Sequence, residues 1–175
     1  MYFSIPDLST GKPTIMLIKQ ITFSFSIAFI SWIAGMLLNA FFTKMNLYHP
    51  RITHLNFIKN EKVNKLLGLN VFKYIILHSF FKFFNPKLSM KKKIRVSELN
   101  EYRKEMNLAE LNHLLAFGFM SVFIFIKIFK GLYLFAVVMT LVNILMNIYP
   151  ALLQQQNKRR IDKYLNILSL KSRQN

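Results

Sequence analysis

The sequence contains no cysteine. Disulfide bridges, thiol nucleophiles, Cys-ligated zinc and a Cys acyl-enzyme are therefore excluded. Acids are scarce: 7 Asp plus Glu stand against 24 Lys plus Arg, a formal net charge of +17. Charged residues make up only 18% of the chain, below the roughly 25% of an ordinary soluble domain. Neither a Gly-rich phosphate loop nor a Gly-x-Ser-x-Gly nucleophile turn occurs, and there is no internal repeat or low-complexity linker. With 53% hydrophobic and 15% aromatic residues, disorder is excluded as well. An unusually apolar soluble core or a membrane protein remains, and 175 residues make one domain at most.

Long apolar runs favour the membrane. Gln20 to Thr43 carries no charge, and Thr22 to Phe42 is long enough to cross a hydrocarbon core of roughly 30 Å. The run is too long for a secretory signal, Asp7 dilutes its basic flank, and Asn39-Ala-Phe-Phe-Thr-Lys offers no small-x-small cleavage site, so it is expected to stay as an anchor. Leu114 to Ile126 and Gly131 to Leu153 form a second apolar pair, separated by Lys127-Ile-Phe-Lys130. This reads as a helical hairpin whose short first arm lets Lys127 and Lys130 snorkel to the headgroups. Two basic residues precede the first span, fourteen lie between Lys44 and Lys104, two mark the hairpin tip and six follow Gln156. Because Lys and Arg are retained on the cytoplasmic side, three spans with an outer N-terminus and a cytoplasmic C-terminus keep 20 of the 24 inside. The positive charge then attracts anionic lipid or an anionic substrate. No recognition helix or RNA-stacking signature accompanies it, so nucleic acid is not the expected partner.

Between the anchor and the hairpin, Leu66 to Phe84 is apolar but interrupted by Lys73, His78 and Lys82, and spanning would bury these charges. At helical spacing Phe72, Ile75, Ile76, Phe80 and Phe83 share one arc, with Asn70, Lys73, His78 and Lys82 opposite. An interfacial or re-entrant helix is expected, ended by Asn85-Pro86. After the basic run 90–95, Ser97 is placed to cap a new helix, and no Gly or Pro interrupts Glu98 to Phe117, so this helix is expected to continue into the second span. The chain is thus expected to be an all-α integral membrane protein of one domain. Its parts are a first span at 20–43, an interfacial or re-entrant helix at 66–85, a cytoplasmic helix continuing into the second span at 97–130, a third span at 131–157 and a basic cytoplasmic tail at 158–175.

The residues best suited to chemistry are Glu110 and His113, in Ala109-Glu110-Leu111-Asn112-His113. At i, i+3 they share a helix face, where a carboxylate can fix the imidazole tautomer and raise its basicity, as a general base acting on an alcohol requires. Glu110 can equally pair with one of the many cations, leaving His113 to contact phosphate or water. No metal is expected: Glu-x-x-His occurs once, and His49, His54 and His78 lack ligand spacing. In the third span Asn143, Asn147, Gln154 and Asn157 lie near one face, either as helix-packing glue or as part of a site. Counting back from a reversal at Lys130-Gly131 sets Glu110 and His113 against Asn147 to Gln154. Pro150 is expected to kink this helix and free a backbone carbonyl.

These motifs resemble the glycosyl-4,4'-diaponeurosporenoate acyltransferase family, bacterial membrane proteins that acylate a sugar on a carotenoid glycolipid. Glu105 followed by Ala109-Glu110-Leu111-Asn112-His113 is similar to the family's Glu and Ala-Glu-x-x-His. Asn147 and the run Gln154-Gln155-Gln156-Asn157-Lys158-Arg159-Arg160 resemble its Asn, Gln and basic tail, and Phe72-Lys73 resembles its Trp-Lys pair. Leu114 stands where the family usually has Trp, and Gln155-Gln156 where it has Arg-Tyr.

The resemblance implies an acyltransferase in a bacterial cell membrane, with a fatty acyl thioester as donor, an amphiphilic hydroxyl acceptor and no cofactor. In this expectation His113 deprotonates the acceptor and Glu110 orients His113. Asn147, Gln154 or Asn157 binds the sugar or the oxyanion, and Lys73, Lys158 and Arg160 hold donor phosphates. The competing expectation is a non-catalytic membrane subunit or lipid-binding accessory whose Phe-rich helices pack on a larger membrane partner.

Overall fold

The computed structural model describes residues 13–45, 55–58, 60–79 and 98–172. Six α-helices make up the described fold, and no strand occurs among the described residues. α1 runs from Pro13 to Lys44 among the described residues. α2 (Glu61–Leu66) is capped by the Asn60 side chain, which accepts from the Lys62 N–H at 2.8 Å. Gly68, at φ 68°, separates it from α3 (Leu69–His78). Ser97, Phe80, Phe83, Lys82, Asn85-Pro86, His49, His54 and the basic run 90–95 lie outside the described residues.

α4 is one unbroken helix from Leu99 to Phe129, so the helix carrying Glu110 and His113 does continue into the second apolar block. It stops at Gly131, whose φ of 72° only a residue without a side chain adopts cheaply. There the Gly131 N–H bonds the Ile128 carbonyl and the Leu132 N–H bonds the Lys127 carbonyl, each at 2.9 Å, which closes the helix and reverses the chain. α5 (Tyr133–Asn143) returns, passes through a π turn at Ile144–Ile148, and leads into α6 (Tyr149–Ser172). Three helical stretches are long and apolar enough to cross a membrane: Pro13–Lys44, Leu99–Phe129 and Tyr133–Leu170.

Packing of these helices follows the logic of lipid rather than water. Outward-facing Ile33, Leu37, Val122, Phe125, Val137 and Leu141 are exposed, whereas Ser24, Ser31, Asn39, Asn143 and Asn147 are buried between helices. When the surrounding solvent is itself apolar, small and polar residues hold helices together. Ser24, Ala28, Ser31 and Gly35 form a small-residue stripe along α1, and Asn39 extends it by donating to the Leu108 carbonyl at 3.1 Å and to Asn112 Oδ1 at 2.6 Å. Around the middle of the bundle Ile27, Ala28, Met120, Ile124, Met139 and Val142 make the apolar core. At its far end Lys127 lies over the rings of Phe23 and Phe135, with Nζ 4.9 and 4.4 Å from their centroids, so the expected snorkelling lysine is held by cation–π contacts.

The tightest approach of α1 to α4 is at Gly35, where a Cβ would collide with the Asn112 carbonyl and crowd Ala116. Gly35→Ala is expected to destabilise the bundle by about 1–3 kcal/mol through overpacking. Gly118→Ala, at a position with nothing within 4 Å, is expected to stabilise α4 by up to about 1 kcal/mol. Thermal unfolding in detergent, followed by circular dichroism, should shift in opposite directions for the two; equal shifts would contradict the α1–α4 contact.

Candidate active site

Two polar clusters sit side by side where α4 meets the α5–α6 helix. The first is built on Asn147, in the π turn. Pro150 has no N–H to offer the Met146 carbonyl, and that carbonyl instead accepts from the indole Nε1 of Trp32 on α1 at 3.1 Å. The same indole N–H reaches Asn147 Oδ1 at 3.0 Å. Asn147 Nδ2 donates to Asn143 Oδ1 at 2.8 Å, and Asn143 Nδ2 donates to the Phe117 carbonyl at 3.2 Å. This amide chain joins all three long helical stretches, and π turns of this kind recur at functional sites. His113 faces it: the ring stands edge-on to Trp32 with centroids 5.8 Å apart, and the Asn147 side chain is within hydrogen-bonding reach. His113 Nδ1 is buried and makes no hydrogen bond among the described residues.

The second cluster surrounds Glu110, whose side chain is fully buried. Its carboxylate forms an ion pair with Lys158 and accepts from Gln155 Nε2 at 2.7 Å. Lys158, itself buried, also donates to Asn107 Oδ1 at 3.2 Å. Gln155 Oε1 accepts the Phe57 N–H at 2.9 Å, which fastens segment 55–58 to the same place. One turn further along, Arg103 grips Asp162 through Nε at 2.5 Å and Nη2 at 3.3 Å.

The expected residues thus converge only partly. His113 meets Asn147, while Glu110 turns to α6, and no hydrogen bond or ion pair joins Glu110 to His113 among the described residues. Sharing a helix face brings two side chains near each other, but a buried carboxylate needs a cation, and Lys158 supplies one. Lys158, expected to hold donor phosphate, is consumed in that pair. Gln154 and Asn157 are buried on α6, and the Asn157 amide nitrogen has no acceptor among the described residues. Lys73 is half-buried on α3, which packs on α6, and it feels the charge of Arg160, which is exposed; no ion pair joins either to Glu110 among the described residues. On α3, Ile76 is buried but Ile75 is exposed, so the packed face runs through Leu69, Phe72, Lys73 and Ile76 rather than along the expected apolar arc. Glu105 lines an open cavity of about 280 Å³ with Glu98, Glu101 and Tyr102.

Trp32, Asn107 and Gln155 were not expected at the site. The only sequence signal for Trp32 is that it is the chain's single Trp, and an indole N–H inside an apolar span must find an acceptor. Gln155 was visible only as part of the amide run Gln154-Gln155-Gln156.

The family model for glycosyl-4,4'-diaponeurosporenoate acyltransferase matches residues 40–167, well over half of the chain, and the protein belongs to this family. No curated protein and no solved structure matches the chain. The matched stretch includes His113, Glu110 and Asn147 but not Trp32.

Trp32→Phe keeps a ring against His113 but leaves Asn147 Oδ1 and the Met146 carbonyl short of a donor. A loss of about 1–3 kcal/mol is expected, measured by denaturant unfolding in detergent. Unchanged stability would mean that the indole N–H is not shared in this way.

Proposed function

Proceeding from this family membership, we propose that the protein is a membrane-embedded transferase that moves a fatty acyl group from an acyl thioester to a hydroxyl of a glycolipid or similar amphiphilic acceptor, as in terminal acylation of a carotenoid glycoside. The observation that carries this reading is a histidine set against Asn147 and Trp32, with a ring nitrogen that makes no hydrogen bond among the described residues, where three apolar helices meet. His113 takes the hydroxyl proton as the acceptor oxygen attacks the thioester carbonyl; the carbon–sulfur bond then breaks, and the imidazolium returns the proton to the leaving thiolate. Asn147 holds the ring. Asn157 and Gln154 are the amides proposed to hydrogen-bond the sugar or the developing oxyanion.

Glu110 acts in this account through α6. Its pair with Lys158 fixes the position of α6 on α4, and the shared face that would have let it orient His113 is used for packing instead. The basic ends of the helices lie on the cytoplasmic side of the cell membrane, with the N-terminus outside, because Lys and Arg are concentrated there.

His113→Gln, which keeps a polar side chain of similar reach, is expected to lower acyl transfer by at least about 100-fold while helicity and membrane insertion are retained. The lipid profile of cells carrying each form, together with turnover in purified membranes, reads this out. Unchanged acylation would favour a non-catalytic membrane subunit.

A further inference from the structure

Trp32, half-buried on α1, is gripped on several sides at once. Its ring meets Phe29 and His113 edge-to-face, with centroids 5.1 and 5.8 Å away and planes at 81° and 85°. Its N–H is shared between the Met146 carbonyl at 3.1 Å and Asn147 Oδ1 at 3.0 Å. The helix that carries it is set against the backbone beside His113: a Cβ on Gly35, one turn on, would collide with the Asn112 carbonyl, and Asn39 donates to Asn112 Oδ1 at 2.6 Å. An indole so fixed is a rigid wall for the imidazole.

The N–H does more than fill space. At one end of the amide chain stands a group that only donates, the Trp32 N–H, and at the other a group that only accepts, the Phe117 carbonyl. Between them Asn147 and Asn143 have a single arrangement, each Oδ1 towards Trp32 and each Nδ2 away from it. Turning either amide over would set donor against donor or acceptor against acceptor. His113 has no carboxylate to orient it, because Glu110 is committed to Lys158 and Gln155, and its Nδ1 makes no hydrogen bond among the described residues. Its orientation therefore falls to neutral groups, the indole and the amides that the indole aligns.

We infer that Trp32 is a positioning residue for acyl transfer: its ring sets the plane of His113, and its N–H sets the direction of the Asn143–Asn147 amides. α1 then completes the site from outside the matched stretch 40–167, and is more than an anchor. The inference rests on the reading of His113 as the base.

Because Trp32 is the chain's single tryptophan, growth on an analogue alters this position alone. The full chain is prepared with tryptophan, with the benzothiophene analogue in which sulfur replaces the N–H, and with a ring-fluorinated tryptophan that keeps it; Trp32→Phe is the genetic counterpart. Helicity and thermal unfolding in detergent establish that each is folded. Nitrogen NMR of isotope-labelled histidine rings reads His113, identified by the signals missing from His113→Gln. Acyl transfer from palmitoyl-coenzyme A to the lipids of purified membranes gives kcat and the donor KM. The sulfur analogue and Trp32→Phe should broaden or split the His113 signals and lower kcat about tenfold, with KM within about twofold. The fluorinated indole should restore both. A merely structural role would leave the ring signals of the folded protein in place. The inference is overturned if the sulfur analogue leaves those signals unchanged, or shifts them without slowing a reaction that His113→Gln abolishes. Acyl transfer that survives His113→Gln, with the indole intact, overturns the reading of His113 instead.

Discussion

A carboxylate with no exposure to solvent, inside a chain that carries 7 acids against 24 cations, is the constraint on which the bundle's polar side depends. Burying Glu110 unpaired would cost several kcal/mol. Its cost is offset by Lys158, Gln155 and Asn107, and these contacts set the register of α6 on α4. Residues 103, 107 and 110 climb one face of α4 while 162, 158 and 155 descend the facing side of α6, an antiparallel ladder of charge and amide. Deeper in the bundle the ladder becomes purely neutral: Asn143 bonds the Phe117 carbonyl, Asn147 bonds Asn143, and Trp32 bonds Asn147. Charge gives way to amides where the apolar blocks begin, as expected when the dielectric falls along the helix axis.

His113 stands at the junction of these two regimes. Its position against Asn147 follows from three separate features: the turn at Gly131, the π turn at 144–148 and the Glu110–Lys158 pair. A shift in any of them moves the amide relative to the ring. The acidic and basic partners of the neighbouring cluster therefore matter to the site without touching it, and Ala109-Glu110-Leu111-Asn112-His113 combines a residue that packs the helices with one that faces the amide chain.

Much of the fold was legible in the sequence, because charge-free length and its interruptions are strong signals. The first long apolar helix, the hairpin, the reversal at Gly131, the unbroken helix from Leu99 and the carbonyl released by Pro150 all follow from residue type and spacing. Site geometry was less legible. Local spacing put Glu110 beside His113, but the partner that captures it, Lys158, is 48 positions away and is chosen by helix register rather than proximity in the chain. Trp32 could not be placed because nothing in the apolar run of α1 says which neighbour supplies its acceptor. Helical spacing sets Lys73 opposite the apolar arc, but α3 docks on α6 through Phe72 against Tyr149, and Lys73 is half-buried.

The most direct test is a double-mutant cycle on the buried pair, with unfolding free energies of Glu110→Gln, Lys158→Met and the double variant measured in the same detergent. Each single change should cost about 3–5 kcal/mol by stranding or stripping a buried charge, and the double variant should be clearly more stable than Lys158→Met alone. Strictly additive costs would mean that the two groups do not share a buried site, and the register of α6 on α4 would then need another cause.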